Sequence, residues 1–394
     1  MKAMAGSKNG SAQNAGQLQT PPLGLYVHLP WCVRKCPYCD FNSHQLRDEL
    51  PAAEYSTTLV ADLEQDLPLV WGRTVSSIYF GGGTPSLFSA AQLEHLLCAF
   101  RARLRVAPGA EITLEANPGT VERDSFSAYR DAGLNRVSLG VQSFDDGCLQ
   151  RIGRIHGGKE VYKALESLRR AGLDNFNIDL MFGLPGQSTQ QALDDIRQAI
   201  EAGATHISHY QLTLEPNTAF AANPPELPDE ESCWRMQSLA AELLLENGYE
   251  QYEISAWSRT GHACGHNLNY WRYGDFLGIG AGAHAKLTDA GAGQIRRLSK
   301  QRHPRQYLSG ERIAENRLIE GSERVFEFFL NRLRLREGLS PAEFSACTGL
   351  RWARVEDRVE LAVNKGLLEA RNERLVHTDT GWRFINDIQA MFLP

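Results

Sequence analysis

The chain has 394 residues, of which 42% are hydrophobic and 22% charged, the balance of a globular protein with room for a core domain of roughly 200–250 residues and a smaller companion. Its 41 basic and 47 acidic residues leave a formal charge of −6, which removes the electrostatic case for nucleic acid as a partner. No apolar run is long enough to cross a bilayer, so the cytoplasm is the expected location, with peripheral membrane contact left open.

Residues 1–21 are rich in Gly, Ser, Asn and Gln, lack a hydrophobic signal core, and read as a disordered tail. From residue 22 to 258, strand-like and helix-like segments alternate. The expected strands are 24–30, 77–81, 111–117, 136–142, 176–182 and 206–213, with a further one at 251–257. Between them lie the amphipathic stretches 53–67, 90–104, 121–132, 159–171 and 189–202. Three of these end in Ala-Gly, at Gly133, Gly172 and Gly203, where glycine supplies a left-handed cap. Such repetition implies a parallel sheet covered by helices, and either a barrel or a doubly wound sheet fits it. Residues 259–320 form a Gly/His-rich connecting segment. From 321 to 394 the pattern changes to helices at 324–334, 341–348 and 355–365, followed by a hairpin over 369–378 and 381–384, which suggests a winged-helix-like domain. Arg332, Arg334 and Arg336 read as a solvated face in preference to a DNA-binding one.

The chemistry starts just after the first strand. Cys32, Cys36 and Cys39 stand in a C-x3-C-x2-C spacing. Three thiolates of this kind hold three irons of a [4Fe–4S] cluster and leave the fourth open. Zinc is the rival, with Asp40 or His44 completing a closed site. The other five cysteines, Cys98, Cys148, Cys233, Cys264 and Cys347, are scattered, which argues for a reducing compartment. Cys98, within a helical pattern, is expected to be buried. Polar and glycine residues gather at the carboxyl ends of successive strands, where parallel barrels place working groups. Gly81-Gly82-Gly83-Thr84-Pro85 closes the second strand, and its glycines let a ligand approach the backbone. Glu115 ends the third, suited to a ribose diol. Gln142 ends the fourth, and Arg154 follows with a fork suited to a carboxylate. Asp179 interrupts an apolar strand and needs a partner. Tyr26 and His28 precede the cysteines.

These residues resemble the signature of the radical S-adenosylmethionine (SAM) proteins, with Tyr38 as the aromatic residue before the last cysteine. Within that superfamily the chain resembles the oxygen-independent coproporphyrinogen III oxidase group over nearly its whole length beyond the tail. The resemblance implies a partial (β/α)6 barrel with a smaller C-terminal α+β domain. It also implies a [4Fe–4S] cluster on the three cysteines, SAM contacts from Tyr26, Gly82, Gly83, Thr84, Glu115, Gln142, Arg154 and Asp179, and a cellular reductant such as flavodoxin or ferredoxin.

Two subfamilies separate here. The oxidase carries a fourth cysteine two positions after the third, where this chain has Phe41, and a longer N-terminal extension. The HemW-type heme chaperones carry H-N-x-x-Y-W, present as His266-Asn267-Leu268-Asn269-Tyr270-Trp271. Neutral imidazole is a good axial ligand for heme iron, and Tyr270 and Trp271 offer faces to a macrocycle. A structural corner with His266 satisfied internally is the alternative reading of the residues alone; His262, His284 and Cys264 are alternative ligands. The resemblance therefore implies heme as a third cofactor, delivered to acceptors such as respiratory cytochromes. On this reading SAM cleavage serves transfer or is vestigial, and the protein leans away from being an enzyme. The runner-up is an oxidase that decarboxylates porphyrinogen propionates.

Overall fold

A computed structural model describes residues 17–120 and 125–394. The expected tail lies outside the described residues as far as residue 16, and the start of the expected helix 121–132 does so at 121–124. Residues 17–21 depart from the expectation of disorder. Leu18 is buried in the core of the C-terminal domain, and the Gln19 N–H donates to the Ala346 carbonyl at 2.8 Å.

Six parallel strands form the centre of one sheet: β1 (Leu23–Leu29), β2 (Thr74–Gly82), β3 (Arg105–Ala116), β4 (Arg136–Gln142), β5 (Phe176–Phe182) and β6 (His206–Gln211). They lie side by side in chain order with no reversal, which excludes the doubly wound arrangement. The sheet is open, so the core is a partial barrel. Helices such as Ala52–Asp66, Ala90–Arg103, Gly158–Ala171 and Thr189–Glu201 bury their apolar stripes on its outer face. Ser89 with Gln92, and Ser188 with Gln191, close capping boxes at two of their starts. Gly133, Gly172 and Gly203 adopt φ of 107°, 66° and 78° beyond the helix ends, as the Ala-Gly signals require. Cys98 is exposed, not buried. The buried stripe of its helix runs through Leu93, Leu96, Leu97 and Phe100, and residue 98 falls off it.

Segment 251–257 is not one strand. It divides into β7 (Glu250–Gln251) and β8 (Ala256–Ser258), and β8 runs antiparallel to β6. The 259–320 segment does more than connect. It contributes the helix Gly265–Trp271 and four strands, β9 (Asp275–Ile279), β10 (His284–Asp289), β11 (Gln294–Lys300) and β12 (Ile313–Leu318). β9 pairs parallel with β1, so the sheet order is β12-β11-β10-β9-β1-β2-β3-β4-β5-β6-β8-β7. The C-terminal domain has helices Gly321–Arg332, Pro341–Thr348 and Glu356–Asn364 and a hairpin of β13 (Leu368–Arg371) and β14 (Arg374–His377). The expected second arm of that hairpin, 381–384, falls instead on the helix Asp379–Arg383, which starts on a Thr378 cap and ends in a C-cap at Phe384. The arginines read as a solvated face are engaged within the protein, and Arg334 and Arg336 reach across to the barrel at Glu253 and Gln251. Arg332 is buried, with its guanidinium on Glu337 and Glu343 at 3.1 Å each. Arg334 reaches Glu253 at 3.1 Å and covers the Trp271 ring at 4.2 Å; Arg336 covers Trp382 at 3.7 Å.

Buried charge ties the late strands to the first helix. Lys300 on β11 donates to Asp62 and Asp66 at 2.6 Å each, and Tyr307 and the Gly280 N–H complete the shell of Asp62. Removing one partner from such a network leaves an uncompensated buried charge. Lys300→Met is therefore expected to cost about 3–5 kcal/mol in urea unfolding. Arg170→Ala, which breaks a surface pair with Glu166, should cost under about 1 kcal/mol. Comparable midpoints for the two variants would contradict the network's role.

Candidate functional site

The cysteine loop is pinned at its root and at its tip. Trp31–Cys32 pairs parallel with His44–Gln45, closing the loop between them. Lys35 donates to the Phe41 and Ser43 carbonyls, and the Asn42 amide donates to the Ala281 and Arg302 carbonyls at 2.9 Å each. His28 is fixed by the same loop: its Nε2–H donates to the Asn42 carbonyl at 2.9 Å, which leaves Nδ1 to accept from Tyr26 OH at 2.9 Å. Burial lowers the His28 pKa to about 4, so this ring is neutral. Cys32, Cys36 and Cys39, free and half-buried, all face one cavity of about 560 Å³. Arg154 Nη1 points to the Cys36 sulfur at 3.6 Å. His44, the rival zinc ligand, turns instead to the His303 ring at 5.5 Å.

Glycine is required in the loop after β2 by close approach. A Cβ on Gly83 would lie 2.5 Å from the Trp31 carbonyl oxygen, and one on Gly82, at φ 122°, 2.7 Å from the His28 ring. The Gly83 and Thr84 N–H groups donate to the Leu29 and Trp31 carbonyls. What these glycines admit is therefore the backbone that leads into the cysteine loop, and both also line the cavity.

Strand alternation builds the cavity wall. Successive side chains on a strand point to opposite faces. On the inner face, β3 offers Thr113 and Glu115, β4 Arg136, Ser138 and Gln142, β5 Asn177 and Asp179, and β6 His206, Ser208 and Tyr210, all of them on the cavity. A barrel interior filled by apolar side chains would be a packed core; this one is a polar lumen. Glu115 accepts from Tyr79 OH at 2.9 Å and from the Gly82 N–H at 3.0 Å. Asp179 has the partners its burial demands, Asn177 at 2.7 Å and Ser138 at 3.2 Å. Gln142, at φ 71°, accepts from Tyr210 OH at 2.7 Å. Arg154 is braced by Asn117 at 2.5 Å and the Gly140 carbonyl at 2.6 Å, and its Nε is a buried donor without a partner. Asn117 and Tyr79 escaped the sequence reading. Asn117 follows Glu115 at the strand's alternation period, and that spacing was the available signal.

Two expected residues are not on the cavity wall. Tyr26 lies behind it, stacked on Tyr79 at 6.2 Å. His266 is only 2% exposed and sits among Tyr79, Tyr270 and Tyr26, with ring centroids at 4.9, 4.9 and 6.4 Å. Its Nδ1 meets Ser77 Oγ at 2.8 Å, while Nε2 is buried with no partner. Burial lowers its pKa to about 3. The H-N-x-x-Y-W helix thus divides by face: Asn267 and Trp271, four residues apart, look into the cavity, and His266 and Tyr270 pack beneath it. Of the alternative ligands only Cys264 lines the cavity, and burial, with Glu111 beside it, pushes its thiol up to about 12. His262 and His284 do not line it. The cavity therefore runs the length of the barrel, from the cysteine loop to this helix.

The model of the radical SAM superfamily matches residues 26–199, and that of the HemN C-terminal domain matches residues 319–384. The heme chaperone HemW of Escherichia coli (strain K12) is 48% identical to this chain over 95% of it and 99% of the relative. That of Haemophilus influenzae is 47% identical over 95% and 98%, and that of Lactococcus lactis 34% over 94% and 97%. Among solved structures, coproporphyrinogen III oxidase (HemN) from Escherichia coli, a radical SAM enzyme, shares the fold with a TM-score of 0.80 and 23% identity, over 96% of this chain and 92% of that one.

Burial, with Asp179 nearby, raises the Glu115 pKa to about 7 against the hydrogen bonds from Tyr79 and Gly82. The folded state then holds a proton that the unfolded chain releases near its ordinary value. The resulting stability is complete below that unfolded value and is lost as pH rises through 7, at up to about 1.4 kcal/mol per pH unit. Thermal unfolding between pH 5 and 8 should show a shallower fall for Glu115→Gln, which stays neutral, than for the unaltered protein. Parallel slopes would remove the assignment.

Proposed function

The chain belongs to the HemW heme chaperones of the radical SAM superfamily, and from that premise we propose that it binds a [4Fe–4S] cluster, SAM and heme and passes heme to acceptor proteins such as respiratory cytochromes. The observation that carries the proposal is the single cavity shared by the cysteine loop and the H-N-x-x-Y-W helix. When bound, the cluster and SAM supply reductive SAM cleavage to a 5′-deoxyadenosyl radical, with an electron from a carrier of the flavodoxin or ferredoxin type.

The residues present suit each group. Cys32, Cys36 and Cys39 would hold three irons, and three soft thiolates on one loop are the donor set such a cluster takes. The partnerless Nε of Arg154 is a charged donor left for the SAM carboxylate. Glu115 keeps lone pairs for a ribose diol beside its two present donors. Gly82, Gly83, Thr84, Gln142, Asp179 and the Tyr38 ring complete the same wall. Tyr26 would act from behind it, by holding His28 and so the cysteine loop. For heme we propose His266 as the iron ligand: its imidazole is neutral, and Nε2 is the ring atom that lacks a partner. Three tyrosine rings enclose it, so ligation requires the Gly265–Trp271 helix to turn toward the lumen. Phe41, 62% exposed, stands where the oxidase has its fourth cysteine, which favours delivery of heme over decarboxylation of a porphyrinogen.

Heme titrated into anaerobically reconstituted protein should bind saturably at one equivalent, with His266→Ala losing the axial-ligand bands while retaining cooperative thermal unfolding. Binding that stays nonspecific in cluster-loaded protein, together with porphyrinogen turnover, would overturn the chaperone reading. Replacing any one of Cys32, Cys36 and Cys39 by alanine should abolish cluster assembly, measured as bound iron and sulfide. Full iron content in those variants would refute the ligand assignment.

A further inference from the structure

At the opposite end of β4 from Gln142 lies a charge that none of the roles above uses. Arg136 opens β4 and is 1% exposed, yet it lines the cavity. Its Nη1 donates to Asn175 Oδ1 at 2.7 Å and to the His262 carbonyl at 3.3 Å. Both acceptors are neutral, and among the described residues no carboxylate forms an ion pair with Arg136. Among the described residues, Nε and Nη2, one edge of the planar fork, make no hydrogen bond.

The acids of the neighbourhood are taken. Glu253 faces Arg334 at 3.1 Å and the Ser255 N–H at 3.1 Å. Glu111 accepts the Gly265 and His266 N–H groups at 3.0 Å each, capping the motif helix, and also the Cys264 thiol. Asp179 is held by Asn177 and Ser138. A titratable wall residue beside it, His206, is kept neutral by burial and by Arg136 itself, with Nδ1 on Asn177 and Nε2 on Tyr252 OH. Two further polar groups of the wall are buried with no partner: Thr113 Oγ1, across the strand pair from Arg136, and Trp271 Nε1. A buried guanidinium with no counter-ion is costly unless something supplies one.

We propose that Arg136 binds a carboxylate of the ligand in the lower lumen, and that this carboxylate is a propionate of the tetrapyrrole; the assignment rests on the heme reading above. The free edge of the fork matches the two oxygens of a carboxylate. Charge selects the class as well. Arg136 has no ion-pair partner among the described residues, so a monoanion supplies one counter-charge, whereas a phosphate dianion would bring a second. SAM also carries a carboxylate, but Arg154 offers it a donor at the cysteine-loop end. Between the levels of Arg136 and Gln142 lie six residues of extended strand, roughly 20 Å.

The test compares heme with its dimethyl ester, both in the same detergent, on unaltered protein and on Arg136→Met and Arg136→Lys, with SAM affinity measured alongside. The unaltered protein should prefer heme by about ten- to hundredfold. Arg136→Met should lose that preference by falling to the affinity of the ester, Arg136→Lys should keep part of it, and SAM affinity should stay within about twofold. Equal affinity of the unaltered protein for heme and ester overturns the inference alone, and needs no variant to fold. A preference that survives Arg136→Met, or a loss confined to SAM, also overturns it. No saturable binding of either compound overturns the heme reading itself.

Discussion

A parallel sheet that curves without closing leaves two edges and a concave face to be satisfied, and the rest of this molecule follows from how that is done. Unpaired edges invite association. Here β9 extends the sheet beyond β1 in parallel, and β8, followed by β7, continues it beyond β6 in antiparallel. Both extensions come from the region after residue 249, so the barrel is complete only when the chain returns to its beginning. The buried ion network of Lys300 with Asp62 and Asp66 joins that return to the first helix. The concave face is left polar, and its alternation produces a lumen where an apolar set would have produced a core.

The same alternation explains what was readable in the sequence. β4 and β5 have the expected bounds because their outward residues are apolar and their flanks carry glycine or asparagine. The cysteines, Glu115, Gln142, Arg154 and Asp179 were legible as strand-end chemistry, and the cavity brings them together. β9 to β12 were not legible. Their strands carry Lys286 and Lys300, cations buried against Asp275 and against Asp62 with Asp66. Arg332 misled for the same reason: two carboxylates, Glu337 and Glu343, neutralise it inside the C-terminal domain. Pairing across long sequence separation is a property of the fold and leaves no local trace.

The triple glycine shows how a shared motif carries more than one demand. A glycine there is consistent with ligand approach, but the tighter constraint is internal, since any side chain on Gly83 would strike the Trp31 carbonyl. The segment that supports the cysteine loop and the segment that walls the cavity are therefore the same few residues. His28, locked between Tyr26 and Asn42, adds a second brace to that loop. Rigid support of this kind keeps three side chains on one loop in fixed mutual positions.

The H-N-x-x-Y-W helix makes the complementary case. Seven residues long, it takes its N-terminal cap from the Glu111 carboxylate on β3, and it is covered on one side by Arg334 from the C-terminal domain. A helix this short has little stability of its own, so its position is set by those two contacts and by the rings around His266. Trp271 and Asn267 face the lumen from the same helix whose far side holds the imidazole. Glu253, which anchors Arg334, lines the same cavity. One ion pair thus joins the wall of the lumen to the C-terminal domain.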